Sequence, residues 1–109
     1  MKHASMLLFV VLAFHSLAVA GKIYGSVTEG GKPVAPGVKV EVTCGANNYP
    51  AQTDTYGSFK LFVPDKGKCL LKVSHQGQTP SIEINSYEGS VQYDLILEKS
   101  GALYTLRRK

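Results

Sequence analysis

The sequence predicts an all-β protein, a seven- to eight-stranded antiparallel Greek-key β-sandwich, and three observations predict it. After Ala20 no long stretch has the 3.6-residue period of a helix, while short runs that alternate apolar and polar residues recur. Clusters of Gly, Pro, Asn and Asp separate those runs, as tight turns require. Lastly, Cys44 and Cys69 fall on the apolar phase of two different runs, so both thiols point into one core. The 109 residues fit a single domain.

The chain opens with the pattern of an export signal. Lys2 and His3 form a short polar start, Met6–Phe14 an apolar core, and Ala18-Val19-Ala20 an A-x-A cleavage site. The apolar run falls short of the ~20 residues that span a bilayer, and His15-Ser16 interrupts it. Residues 1–20 are therefore expected to be a signal peptide and residues 21–109 the domain. No stable membrane anchor is expected after cleavage, and the expected location is exported, periplasmic or extracellular.

The first strand is read at Lys22–Thr28, with Ile23, Gly25 and Val27 in phase. Glu29–Pro33 is a turn by composition, and Pro33–Gly37 a stiff crossing, since two prolines offer no donors to a ladder. Val38–Gly45 reads as the second strand, with Val38, Val40, Val42 and Cys44 on one face. Ala46–Pro50 reads as a loop and Ala51–Thr53 as a short third strand. Thr53–Phe59 is the stretch the chain turns on. Asp54 can close the turn by accepting backbone N–H bonds, and Gly57 can take positive φ. Phe59 opens the next strand, Ser58–Val63, with Leu61 and Val63 on its face. Pro64–Lys68 is another turn. Cys69–His75, Thr79–Asn85 and Val91–Leu97 complete the main strands, with Tyr87-Glu88-Gly89 as a loop between the last two. Lys99-Ser100-Gly101 reads as a hairpin turn before a terminal strand at Leu103–Arg108.

Two cysteines in an exported chain predict one disulfide, Cys44–Cys69. Closing that loop stabilises the fold by roughly 3 kcal/mol in the chain-entropy model. A zinc site is the alternative, but after cleavage only His75 remains as a histidine, too few for a closed Cys/His set. Neither a metal nor any other cofactor is expected.

Taken together, these pieces resemble the carboxypeptidase regulatory-like domains, whose fold is a transthyretin-like (prealbumin-like) β-sandwich. The resemblance rests on Ile23-Tyr24-Gly25-Ser26-Val27, Gly31–Gly37 with Val38-Lys39-Val40, Thr53–Phe59, and Pro64 with Gly67. It covers about Lys22 to Leu97 and implies a fold more than an activity. In carboxypeptidases such a domain sits beside a catalytic one; here the domain is expected to stand alone.

Function classes can then be weighed. Transthyretin-like hydroxyisourate hydrolases need several histidines, an arginine and a C-terminal Tyr-Arg-Gly-Ser; this chain ends Leu106-Arg107-Arg108-Lys109. Intradiol dioxygenases need two tyrosines and two histidines for iron. A Ser-His-Asp site would need His75 as its base, and an exposed or locally bonded histidine is the simpler reading. No catalytic residues are assigned, and the protein is expected not to be an enzyme. A self-formed isopeptide from Lys22 to Asn85 or Asp94 is formally available, but the cysteines already supply a covalent staple.

Binding is the expected role, with another envelope or extracellular protein as the expected partner and docking through an edge strand as the physical route. A glycan is the alternative. Tyr24, Tyr49, Tyr56 and Tyr87 are the aromatic faces it could stack on, and Tyr49, Tyr56 and Tyr87 are read as loop residues forming a candidate binding surface. Chain-wide, 12 Lys and Arg stand against 8 Asp and Glu. Part of that surplus is the tail Arg107-Arg108-Lys109, read as the solubilising end of a strand. Export makes nucleic acid an unsuitable partner.

Overall fold

A computed structural model describes residues 21–109, and the signal-peptide reading of residues 1–20 lies outside them. The described chain forms nine strands: β1 (Gly21–Glu29), β2 (Lys32–Pro33), β3 (Lys39–Cys44), β4 (Asn47–Gln52), β5 (Ser58–Val63), β6 (Gly67–Val73), β7 (Ser81–Ser86), β8 (Ser90–Ser100) and β9 (Leu103–Arg108). They stack as two sheets. In the first, β1 lies between β8 and the pair β2 and β5, and β9 flanks β8. The second runs β4-β3-β6-β7, antiparallel throughout. No helix among the described residues is long and apolar enough to cross a membrane.

Alternation explains the core. Ile23 and Val27 of β1, Phe59, Leu61 and Val63 of β5, and Tyr93, Leu95 and Leu97 of β8 point inward from the first sheet. Val40, Val42, Leu71, Val73 and Ile84 meet them from the second. Full burial of each aliphatic side chain contributes about 1.5–3 kcal/mol. Tyr93 also ties the sheets together: its hydroxyl donates to the Asn85 carbonyl and accepts from the Asn85 N–H, each at 2.9 Å.

The sandwich is not antiparallel throughout. β1 and β8 run parallel, from Lys22 opposite Ser90 to Glu29 opposite Leu97. A parallel pair needs a long crossover, and here β2–β7 supply it, visiting the second sheet twice, as β3-β4 and as β6-β7, with β5 returning to the first between them. Gly25 permits the close approach, because a Cβ there would strike the Tyr93 carbonyl.

Other boundaries also move. Asn47–Pro50, read as loop, belong with Ala51-Gln52 to one strand: Gly45-Ala46 make a two-residue turn with Gly45 at φ 60°, and β4 pairs with β3 from Asn47 onward. Pro50 is tolerated because β4 is an edge. Lys32 and Pro33, read as turn residues, pair with β1 across a Gly30-Gly31 turn in which both glycines have positive φ. β6 ends at Val73, and His75 and Gln78 then close a separate tight turn. β8 runs on to Ser100, which moves the last hairpin turn to Gly101-Ala102.

Cys44 and Cys69 form the disulfide, with Cα atoms 4.5 Å apart. They follow directly in the β3–β6 register, so the bond is a rung within the second sheet, not a strut between sheets.

Candidate functional site

The outward residues of the first sheet fall into rows set by register. Phe62, Lys22 and Ser90 make one row across β5, β1 and β8; Lys60, Tyr24 and Gln92 make the next; Ser58, Ser26 and Asp94 the third. Gln52 and Asp54, where the chain leaves β4, rise beside them. Together they enclose an open trough of about 700 Å³ lined by Lys22, Tyr24, Ser26, Gln52, Asp54, Ser58, Lys60, Gln92 and Asp94, with Gly25 and Phe59 beneath.

Hydrogen bonds hold one end of the trough in place. Ser26 Oγ donates to Asp94 Oδ1 at 3.1 Å, and Gln92 Nε2 donates to Asp94 Oδ2 at 2.9 Å. Each carboxylate oxygen keeps a lone pair for a further donor. At the other end the Lys22 ammonium lies 5.1 Å from the centre of the Tyr24 ring. Tyr24 is half-buried, and Lys60 is exposed. The lining thus offers one phenol ring, two cations, two carboxylates, two amides and two serine hydroxyls, a set able to recognise a polyhydroxylated ligand. Further along the same face, a second hollow of about 670 Å³ holds Thr28, Ile96, Glu98, Thr105 and Arg107. There Arg107 and Glu98 are spent on each other, with Arg107 Nε 2.9 Å from Glu98.

The turn beside the trough is tightly determined. Asp54 Oδ1 accepts from the N–H of Tyr56 at 2.8 Å and of Ser58 at 2.9 Å, and the Gly57 N–H donates to the Asp54 carbonyl. Gly57 has φ 72°, and a Cβ on it would lie 2.8 Å from the Val27 carbonyl and 3.0 Å from Pro33. The turn is therefore docked on β1 and β2 as well as locally closed. Phe59, 4% exposed, anchors it in the core. Thr53 contributes in a way the sequence did not signal: its buried hydroxyl donates to the Ala35 carbonyl and accepts from the Val38 N–H, pinning the proline crossing.

The three tyrosines grouped from the sequence do not form one surface. Tyr49 sits on β4, not in a loop, half-buried, with its hydroxyl donating to Asp65 at 3.1 Å. Partial desolvation, then the hydrogen bond to Asp65 and its negative charge, hold the phenol above its ordinary pKa. Tyr56 is 76% exposed at the turn before β5, whereas Tyr87 lies in the β7–β8 loop against Gly21, which pairs with Val63 at the far end of β5. β5 is six residues long, so the two ends of the strand beside which they lie are about 20 Å apart. Tyr24, the fourth candidate, is the one in the trough.

His75 Nε2 faces Glu29 at 3.3 Å, and the ring packs edge-on against Tyr104. Lys22 lies over Tyr24, Asp94 is held by Ser26 and Gln92, and Asn85 stands opposite Lys68 in the second sheet, so the geometry joins neither isopeptide pair. In the basic tail, Arg107 pairs with Glu98, Arg108 stacks 4.8 Å from the Tyr93 ring centre, and the Lys109 N–H bonds the Asp94 carbonyl. Its charges finish a strand.

No protein-family model matches the sequence, and no curated protein matches it. Among solved structures, a candidate carbohydrate binding protein from Bacteroides uniformis superposes with a TM-score of 0.52 at 15% identity over 82% of this chain and 53% of its own. A 9R-lipoxygenase from Cyanothece gives a TM-score of 0.46 at 15% identity over 76% of this chain and 17% of its own. This chain therefore spans about half the length of the first neighbour. The first likeness supports the β-sandwich fold.

Proposed function

We infer that this protein is an exported, non-enzymatic β-sandwich binding module whose ligand is a carbohydrate held in the trough over Tyr24. The observation that carries this reading is the trough itself: one aromatic ring among Gln92, Asp94, Ser26, Ser58 and Lys60 on the neighbouring strands β5, β1 and β8. Sugars stack an apolar ring face on an aromatic side chain while their hydroxyls meet polar groups around it. The structural neighbour described as carbohydrate binding is consistent with this use of the fold. The disulfide supports an oxidising compartment. A non-enzymatic role is supported by His75, whose ring is engaged by Glu29 and Tyr104 rather than by a serine hydroxyl. The proposed family relationship remains the carboxypeptidase regulatory-like domains, on the motif order described above.

The chain has six tyrosines and no tryptophan, so its intrinsic emission reports tyrosine. Titration with a panel of oligosaccharides should change that emission, and Tyr24→Ala should abolish the change while keeping Tm. A panel that leaves the wild-type emission and heat of mixing unchanged overturns the reading.

A second reading, docking to an envelope or extracellular protein, is favoured by one observation. Phe62 and Tyr87, 61% and 54% exposed, lie at the same end of the sandwich, where β5 ends and the β7–β8 loop passes Gly21. Crosslinking with mass spectrometry in the native compartment should then trap one partner through nearby Lys66, and Phe62→Ser should release it.

A further inference from the structure

We propose that the trough selects an acidic sugar, with the carboxylate of a uronic acid unit bound between Lys22 and Lys60. The proposal deepens the carbohydrate reading and rests on it. Charge in the trough is segregated along the strands. Lys60 stands directly opposite Tyr24, and Lys22 is two residues further along β1, which makes the two lysines diagonal neighbours. Backbone positions so related lie about 7–8 Å apart, a gap that two long side chains close onto one bridging anion. Neither ammonium is within ion-pair distance of a carboxylate among the described residues; the ion pairs there belong to Lys66, Lys68, His75 and Arg107. Lys22 instead rests over the Tyr24 ring. That position sets the cation over one face of the ring, from which it would swing onto the carboxylate as a sugar takes its place.

Asp94, fixed by Ser26 and Gln92, lies two rows from Lys22 and one from Lys60, and Asp54 lines the trough at the same end, beside Ser58. Asp94 repels an anion and accepts from hydroxyls. A ligand acidic at one end and neutral at the other therefore has one favourable orientation: carboxylate toward Lys22 and Lys60, neutral hydroxyls toward Asp94. A sugar suits this floor better than an acidic peptide. A peptide bound by strand addition would take the free outer edge of β5, whereas the trough lies on the face of the sheet, where side chains and not backbone groups offer the contacts.

The test compares polygalacturonate oligomers with the same oligomers after carboxyl reduction, by calorimetry and tyrosine emission on the purified protein. The acidic oligomer should bind about tenfold or more tightly than its reduced form, the difference expected from one charge-assisted contact. Lys22→Gln and Lys60→Gln should each erase most of that difference, and Lys60→Arg should restore it. Lys39→Gln with Lys72→Gln, on the other sheet, should change nothing. Equal affinity for the two oligomers overturns the acid preference and leaves the carbohydrate reading standing. Binding of neither oligomer, nor of any other glycan, overturns both. An equal loss with the Lys39 and Lys72 pair reduces the effect to general attraction toward a basic protein and overturns the proposal. Tighter binding of an acidic peptide with the same lysine dependence also overturns it, by moving the anion to another class of ligand.

Discussion

On the outer face of the second sheet, Lys68 lies 3.4 Å from Glu83, and Glu41 stands opposite Lys72 across β3 and β6. On the outer face of the first, Lys22 and Asp94 stand two rows apart, with Lys60 and Tyr24 in the row between. Both faces come from the same alternation, in which every second residue points to solvent. The difference lies in how neighbours across the strands are matched. Opposite charges set side by side neutralise each other and leave a surface with little to offer a ligand. Charges separated along a sheet leave donors and acceptors free. The two sheets also differ in how they are held: the first by a docked turn and a glycine-permitted parallel pair, the second by a covalent rung.

That contrast can be broken, beginning with its largest expected effect. Phe59 lies directly beneath the trough and anchors the docked turn, so Phe59→Ala should cost about 3–5 kcal/mol in chemical denaturation. A cost below about 1 kcal/mol would mean that the first sheet is not held from this point.

Removing the rung should act on the other sheet. Replacing Cys44 and Cys69 together by Ala should cost about 2–4 kcal/mol. Hydrogen exchange should then accelerate in β3 and β6 more than in β1 and β8; acceleration spread evenly over both sheets contradicts the division.

Gly57 sharpens the comparison at the turn. Its φ of 72° alone would let Asn replace it, but a Cβ meets the Val27 carbonyl at 2.8 Å, so Gly57→Asn should still cost about 1–3 kcal/mol. Gly57→Val should be worse by about 1–2 kcal/mol, the added penalty of a left-handed β-branched residue. Thermal melts of the two variants check the order, and an Asn variant as stable as the wild type would show that the turn is not docked.

The smallest effect belongs to Tyr49. Its phenol is raised above the ordinary 10.0 in the folded state, so its contribution is complete below about pH 10 and is lost as pH rises through the higher folded value. Alkaline titration should show Tyr49→Phe with a flatter loss of stability above pH 10 than the wild type. Identical alkaline profiles would mean that the Asp65 contact does not favour the neutral phenol.

Much of this molecule can be read from neighbouring residues. The runs Lys22–Thr28 and Ser58–Val63 alternate in a way that fixes which side chains enter the core, and the cysteines fall on inward phases that allow them to meet. These are local properties: strand period is two, and a turn is completed within a few residues. Pro50 misled because a proline reads as a strand breaker until the strand is known to be an edge.

The sequence by itself thus determined an all-β sandwich, its main inward faces and its disulfide. The tertiary structure alone decided that β1 runs parallel to β8, that the disulfide lies within one sheet, and that Tyr24 rather than the loop tyrosines sits among the polar groups of the trough. The physical reason is range. Ser26 and Asp94 share a hydrogen bond across 68 positions of sequence, and outward residues are under no burial constraint that would mark such partners in advance. Only the register between distant strands brings them together.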